Sequence, residues 1–116
     1  MRHRIKKNTL GRQRAQRVAL MKSLAESLVL HDSIVTTKAK AKALKTFVEP
    51  LVTKAKKGDL VSRRRLISAL FTDKVVNKLM DEIGPRYKER PGGYTRITNI
   101  GYRPNDGAEK VRIEFI

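Results

Sequence analysis

The chain has 116 residues, about one domain's worth, and 40% of them are apolar, enough for a single modest core rather than a disordered basic tail. Its 27 Lys and Arg against 11 Asp and Glu leave a net charge of +16, whereas a small domain needs a magnitude of roughly 2–8 for solubility, so a polyanionic partner is expected and nucleic acid is the commonest one. Cysteine is absent, which excludes disulfides and thiolate-held metal, and no apolar run reaches the roughly 18 residues of a membrane span.

Residues 1–13 carry Arg2, Arg4, Lys6, Lys7 and Arg12 without an acid, and with only two large apolar side chains, Ile5 and Leu10. Such a segment cannot offset its own ordering entropy, so it reads as an extended basic arm ordered by its partner. The stretch from Met1 to Arg17 has no apolar core for a secretory signal, and it lacks the Ser content and amphipathic period of an organelle transit peptide.

From Arg14 to Leu30 the pattern turns helical, with Val18, Met21, Leu24, Ala25 and Leu28 forming one apolar stripe. The β-branched Ser33-Ile34-Val35-Thr36 reads as a brief strand. A second helix starts at Thr36 or Thr37, either of which can cap it, and buries Ala41, Leu44, Val48, Leu51 and Ala55. Pro50 inside that pattern predicts a kink or a restart. Gly58-Asp59 marks one helix's end and the next one's cap. The third helix is expected to bury Leu66, Ile67, Leu70 and Phe71. The fourth follows Thr72-Asp73, buries Val75, Val76, Leu79 and Ile83, and stops at Gly84-Pro85.

Beyond it the period changes to two. Tyr94 to Tyr102 and Glu109 to Ile116 read as strands joined by the turn-rich Arg103-Pro104-Asn105-Asp106-Gly107, an antiparallel pair to which Ile34-Val35 can add a third strand. The expected architecture is one α/β domain of the α+β type over residues 14–116. It has about four helices packed with a small, mostly antiparallel sheet, and the basic arm precedes it.

Catalytic chemistry finds little support. General-base and nucleophilic catalysis most often use a positioned histidine, and the chain has only His3, in the arm, and His31, beside Asp32 at a helix end where a cation meets the negative end of the dipole. The acids are scattered among bases, and Gly92-Gly93 alone is no dinucleotide or phosphate fingerprint. No enzyme, cofactor, metal or small-molecule substrate is implied, and nothing suggests homo-oligomerisation.

Binding chemistry is better represented. The arm can follow a phosphate backbone, each Arg or Lys displacing condensed counterions, and the basic series continues through Arg14 and Arg17. On the second helix Lys38, Lys42, Lys45 and Lys56 fall along one flank, a pattern equally compatible with a solvated face. On the third, Arg64 lies at the edge of the apolar face and Arg65 opposite it, both placed to meet phosphate. Arg63 falls in line with the apolar positions and must snorkel out or meet a carboxylate. The densest segment runs from Pro85 to Arg96. Arg86, Arg90 and Arg96 can fork onto phosphate, Tyr87 and Tyr94 can stack on unpaired bases, and Gly92 and Gly93 permit close backbone approach. A turn with two core tyrosines is the plainer reading of the same residues. Arg-bearing short helices could also imitate a DNA-binding helix-turn-helix, but the arm and the glycine-rich loop have no place in that geometry.

Met1-Arg2-His3-Arg4 leading to Leu10-Gly11-Arg12 resembles the opening of the L-seventeen family of bacterial large-subunit ribosomal proteins. So does His31-Asp32-Ser33-Ile34-Val35-Thr36-Thr37 followed by Ala39-Lys40-Ala41-Lys42. The most specific match is Pro85-Arg86-Tyr87 with Arg90-Pro91-Gly92-Gly93-Tyr94-Thr95-Arg96-Ile97. Order and spacing agree over essentially the whole chain. The sequence departs from the family pattern at Gln16, at Ala43 and at Lys22-Ser23. The resemblance implies an α/β structural protein of the cytoplasmic bacterial ribosome, bound to large-subunit ribosomal RNA and touching neighbouring large-subunit proteins on the solvent side toward the nascent-chain exit. It also implies RNA contacts at Arg2, His3, Arg4, Gly11 and Arg12 of the arm and at Arg86, Tyr87, Arg90, Gly92, Gly93, Tyr94 and Arg96 of the loop.

Overall fold

The computed structural model describes residues 9–116, so the expectations placed on Arg2, His3, Arg4, Lys6 and Lys7 lie outside the described residues. Helix α1 spans Arg14–His31, strand β1 Ser33–Thr37, helix α2 Lys38–Lys57, helix α3 Leu60–Ala69 and helix α4 Asp73–Lys78. Helix α4 runs on through a π-helical turn, Leu79–Ile83, into a last α turn, Gly84–Arg86. Strands β2, Thr95–Tyr102, and β3, Glu109–Phe115, close the domain. The sheet order is β1-β3-β2 with both pairings antiparallel, so the Ile34-Val35 segment does supply the third strand. This is the expected α+β architecture.

Local chemistry explains most boundaries. Asp32, at φ 62°, and Gly58, at φ 68°, end α1 and α2 in the left-handed conformation common just past a helix C-terminus. Asp59 then caps α3, its carboxylate accepting from the Ser62 amide at 2.7 Å, and this hydrogen bonding holds the Asp59 carboxyl below its ordinary range. Thr37 occupies the N-cap of α2 without a side-chain hydrogen bond. Pro50 neither breaks nor restarts α2, which is helical on both sides of it. Thr46 Oγ1 bonds the Lys42 carbonyl and Thr53 Oγ1 the Glu49 carbonyl, flanking the position where proline has no amide to give.

The core lies between α2, the sheet and the inner faces of α1 and α4. It contains Ala25, Leu28, Val29, Leu44, Val48, Val52, Leu66, Val75, Leu79, Ile83, Val111 and Ile113. Three expected core residues are on the surface instead: Val18, Ile67 and Phe71. Buried positions of α1 begin at Met21, and Val18, 42% exposed, lies a turn before them. Helix α3 buries only Ser62 and Leu66, and Ile67 follows 100° round the helix. Phe71 lies past the helix end, where Leu70 is already extended and helical spacing no longer governs direction. The Phe71 ring lies under the Lys22 ammonium, 5.2 Å from it.

Gly84 does not end the fourth helical run. Its dihedrals are helical, φ −55° and ψ −54°, and a Cβ there would stand 2.7 Å from the Ala55 carbonyl oxygen. Glycine is needed for close approach to α2, and the chain leaves the helix only after Arg86. The start of α4 is held from a distance. Glu26 of α1 accepts from the amides of Phe71 at 2.7 Å and Thr72 at 2.8 Å, satisfying donors that no local cap supplies.

Candidate nucleic-acid interface

A groove of about 680 Å³ runs between α2, the first turns of α3 and the loop before β2. Its cations are Lys45, Lys54, Lys57 and Arg65, and Gly92 and Tyr94 form part of its wall. Among the described residues none of these four cations has a carboxylate within 4 Å. The one acid in the lining, Glu49, is occupied, accepting from Thr95 Oγ1 at 2.9 Å. Four cations against the single carboxylate of Glu49 along a concave wall leave net positive potential there, which suits a phosphate backbone.

Residues expected to act together are divided by the fold. Of the flank on α2, Lys45 enters the groove and Lys42 is exposed. Lys38 pairs with Glu109 at 3.2 Å. Lys56 turns inward, donating to the Tyr94 hydroxyl at 2.9 Å and to the Arg90 carbonyl. Arg64 and Arg65 are both exposed, but only Arg65 lines the groove. Arg63 meets an amide rather than a carboxylate, donating to Asn77 Oδ1. Near the arm, Arg12 Nη1 bonds the Leu10 carbonyl at 3.0 Å and Arg17 Nη1 the Arg12 carbonyl at 3.2 Å. Gly11 sits at φ +66° with open space around it, and Arg14 is exposed.

The loop expectation needs a correction. Tyr87 and Tyr94 are 4% and 1% exposed, so neither ring is available for a base to stack on. Their rings pack 5.3 Å apart, with Phe115 6.3 Å from Tyr87, and the Tyr87 hydroxyl donates to the Ile116 carbonyl. The ammonium of Lys56 stands 5.1 Å over the Tyr94 ring, and its hydrogen bond lowers the Tyr94 phenol below its ordinary range. The tyrosines anchor the loop instead. They hold the exposed Arg90, Gly93 and Arg96 and the half-buried Gly92 at the surface, with Arg90 Nε closing a turn onto the Gly92 carbonyl at 3.1 Å.

Two loop arginines already have acidic partners. Arg96 forks onto Glu114, with distances of 3.2 and 2.8 Å, across the β2–β3 pair. Arg86 shares Asp32 with Lys78, at 3.7 and 3.8 Å, and its guanidinium lies 5.9 Å from the Tyr87 ring centre. Surface pairs of this kind are weak and open to exchange with phosphate.

Sequence reasoning did not single out Lys54 and Lys57, which line the groove. They stand three apart on α2, a spacing that puts them on one side, but only the docking of α3 and the Gly92 loop makes that side concave. Among the described residues no cluster of potential metal ligands occurs, and no helix is long and apolar enough to cross a membrane.

Comparison with known proteins supplies the remaining observation. The sequence profile of the family described as Ribosomal protein L17 matches residues 20–116. A large ribosomal subunit protein bL17 from a Hydrogenobaculum species is 52% identical over the whole chain and 99% of its own length. The bL17 proteins of Gemmatimonas aurantiaca and Rickettsia bellii are 48% and 47% identical over the whole chain, which spans 98% and 82% of their lengths.

Proposed function

The chain belongs to the ribosomal protein L17 family, and we propose that it is a structural, non-enzymatic constituent of the bacterial large ribosomal subunit that holds folded large-subunit ribosomal RNA. The observation that carries the RNA part is the groove of Lys45, Lys54, Lys57 and Arg65, whose cations have no carboxylate within 4 Å among the described residues. Around it, Arg64, Arg90 and Lys42 present further exposed charge, and the arm residues Arg2, His3, Arg4, Lys6, Lys7 and Arg12 extend the basic surface in sequence.

The mechanism is electrostatic and geometric. Lysines and arginines neutralise phosphates where RNA segments converge, and the rigid domain fixes their register. Gly11, Gly92 and Gly93 let RNA backbone approach protein backbone. Arg14, Arg17, Arg86 and Arg96 contribute charge at the margins, and neighbouring large-subunit proteins cover other faces. The relatives' name places them in the large ribosomal subunit, and this chain is assigned the same cytoplasmic particle.

Sedimentation tests the assignment. In a lysate resolved on a sucrose gradient, the protein should travel with the large subunit and leave it only at high salt. With about 6–10 phosphate contacts, affinity for isolated large-subunit RNA should fall by roughly 10³–10⁵ between 50 and 200 mM salt, on values established for duplex DNA. A protein that stays at the top of the gradient or follows chromosomal DNA refutes the assignment, and binding flat in salt refutes the mechanism.

A further inference from the structure

The sheet packs on α2 with one face and shows the other to solvent. On β3 the buried Val111, Ile113 and Phe115 belong to the core, so Lys110, Arg112 and Glu114 between them point the opposite way. Val35, Arg96, Thr98 and Arg112, all on that outer face, are exposed.

The strand register builds this face in rows. Arg112 stands between Val35 of β1 and Thr98 of β2, and Lys110 stands between Thr37 and Gly101. Gly101 comes opposite Lys110 because β2 carries an extra residue, Ile100, after the pair Asn99–Val111. In an unbulged ladder Ile100 would stand there, whereas the glycine leaves open space beside the lysine. The same face runs into a cleft of about 260 Å³ at the start of α2, where Val35, Thr37 and Lys110 meet Lys40, Arg103 and Glu109.

Charge on this surface is one-sided. Its carboxylates are already paired, Glu114 with Arg96 at 2.8 Å and Glu109 with Lys38 at 3.2 Å, and Asp106 occupies Arg103. Lys40, Lys110 and Arg112 have no carboxylate within 4 Å among the described residues. Three cations without counter-charge call for an anionic partner, and the other side chains of the face select its form. No aromatic ring stands in these rows, so they offer no stacking platform for unpaired bases. Thr37 and Thr98 instead place hydroxyls beside the cations. Phosphates and 2′-hydroxyls along a wide, shallow minor groove are what an RNA duplex presents to such a surface. The cleft shares no lining residue with the groove on α2 and α3.

We propose that the outer face of the sheet, through Lys40, Lys110 and Arg112, binds the backbone of a double-stranded segment of the ribosomal RNA, distinct from the segment held in the groove. This rests on the RNA-binding reading above and makes the domain a tie between two RNA segments, one on each surface.

The test uses the full chain and protein-free large-subunit ribosomal RNA. Lys40→Gln, Lys110→Gln and Arg112→Gln together should reduce the salt slope by about 2.7, at roughly 0.9 per duplex phosphate. Val35→Glu puts a carboxylate opposite Arg112 with every cation left in place, and should reduce the slope by about 0.9. Thermal melting without RNA should match wild type for both; should the triple variant melt lower, Val35→Glu decides alone. Hydroxyl-radical footprinting should show protection lost from a duplex in the triple variant, and from a different segment in Lys57→Gln with Arg65→Gln. If the triple variant and Val35→Glu keep the wild-type slope while the groove variant lowers it, the sheet-face site is overturned and the groove reading survives. Loss of the same protections from both surfaces' variants would mean a single segment and would overturn the proposal. If the triple variant binds RNA normally but is lost from assembled subunits, the face meets an acidic protein, and the proposal equally fails. Absence of any RNA binding by the wild type would remove both readings.

Discussion

Replacing Gly84 by Ala sets two effects of opposite sign against each other. Alanine favours a helix over glycine by roughly 0.5–1 kcal/mol, partly by restricting the unfolded chain. Gly84 has ordinary helical dihedrals, so this gain should be realised in full on backbone grounds. Against it stands contact with α2. The added Cβ would lie 2.7 Å from the Ala55 oxygen and 3.0 Å from its carbonyl carbon, where ordinary contact begins near 3.4 Å. Both atoms are backbone within a helix, so no side chain can rotate away, and the π turn must retreat from α2 by several tenths of an ångström. Displacements of that kind in packed interiors cost about 1–3 kcal/mol. The steric term wins, and the net loss should be about 1–2 kcal/mol. For a domain of this size that is a fall in Tm of roughly 4–8 °C, read by circular dichroism without RNA. Gly58→Ala is the control. That glycine has φ +68° and open space around it, so its substitution meets only left-handed strain, which Asn relieves. Gly84→Asn should be worse than Gly84→Ala. A Gly84→Ala protein as stable as wild type would show that close approach to Ala55 is not why glycine stands there.

Glu26→Ala removes the acceptor of the Phe71 and Thr72 amides and should lower stability by about 1–2 kcal/mol, a partly solvated site letting water replace some of the bond energy; chemical denaturation with an unchanged m value checks it. Asp106 is held down to about 2 chiefly by its hydrogen bond from Arg103, so its stabilising contribution is present above the ordinary carboxylate value of 3.8 and fades as the pH falls toward 2. Carboxyl-resolved NMR should show that low midpoint, and Arg103→Gln should move it back up. Tyr94 ionises below its ordinary 10.0 because Lys56 donates to it, so absorbance at phenolate wavelengths should rise early in an alkaline titration. Its depressed value adds stability that grows as the pH rises through the folded-state value and is complete above the ordinary 10.0, with none at neutral pH, and Lys56→Met should return the titration upward.

Sequence periodicity was informative wherever an element is long enough to have a persistent buried side. Every apolar position expected on α2 is buried, and the Gly58-Asp59 boundary, the strand at Ile34-Val35 and the β2–β3 hairpin all stand as read. It failed where direction depends on something far away in the chain. Ile67 and Phe71 follow a helical rhythm, but α3 is ten residues long and presents one narrow side to the core. Tyr87 and Tyr94 illustrate a different limit. A tyrosine packed in a core and one stacked on a base use the same ring, and only the arrival of Lys56, Thr53 and the Ile116 carbonyl shows which these are. Charge told of a polyanionic partner without showing which lysines face it, because Lys38, Lys45 and Lys56 share a flank of one helix, yet Lys38 pairs with Glu109, Lys56 turns onto Tyr94 and only Lys45 lines the groove.

The strand order β1-β3-β2 also carries a kinetic consequence. Both outer strands are synthesised before the central one, and they make no ladder with each other. Until β3 emerges, β1 and β2 offer unpaired edges, and β1 must close a loop spanning most of the domain to find its place. The helices can gather first, with Leu28, Leu44, Leu66 and Val75 meeting through shorter separations, while the sheet forms last and together. Mutations in β3 should therefore raise the rate of unfolding far more than they slow the first collapse. The same delay leaves the strands open to mispairing between nascent copies, and the dense positive charge on Arg96, Arg103, Lys110 and Arg112 then acts as mutual repulsion that keeps those copies apart.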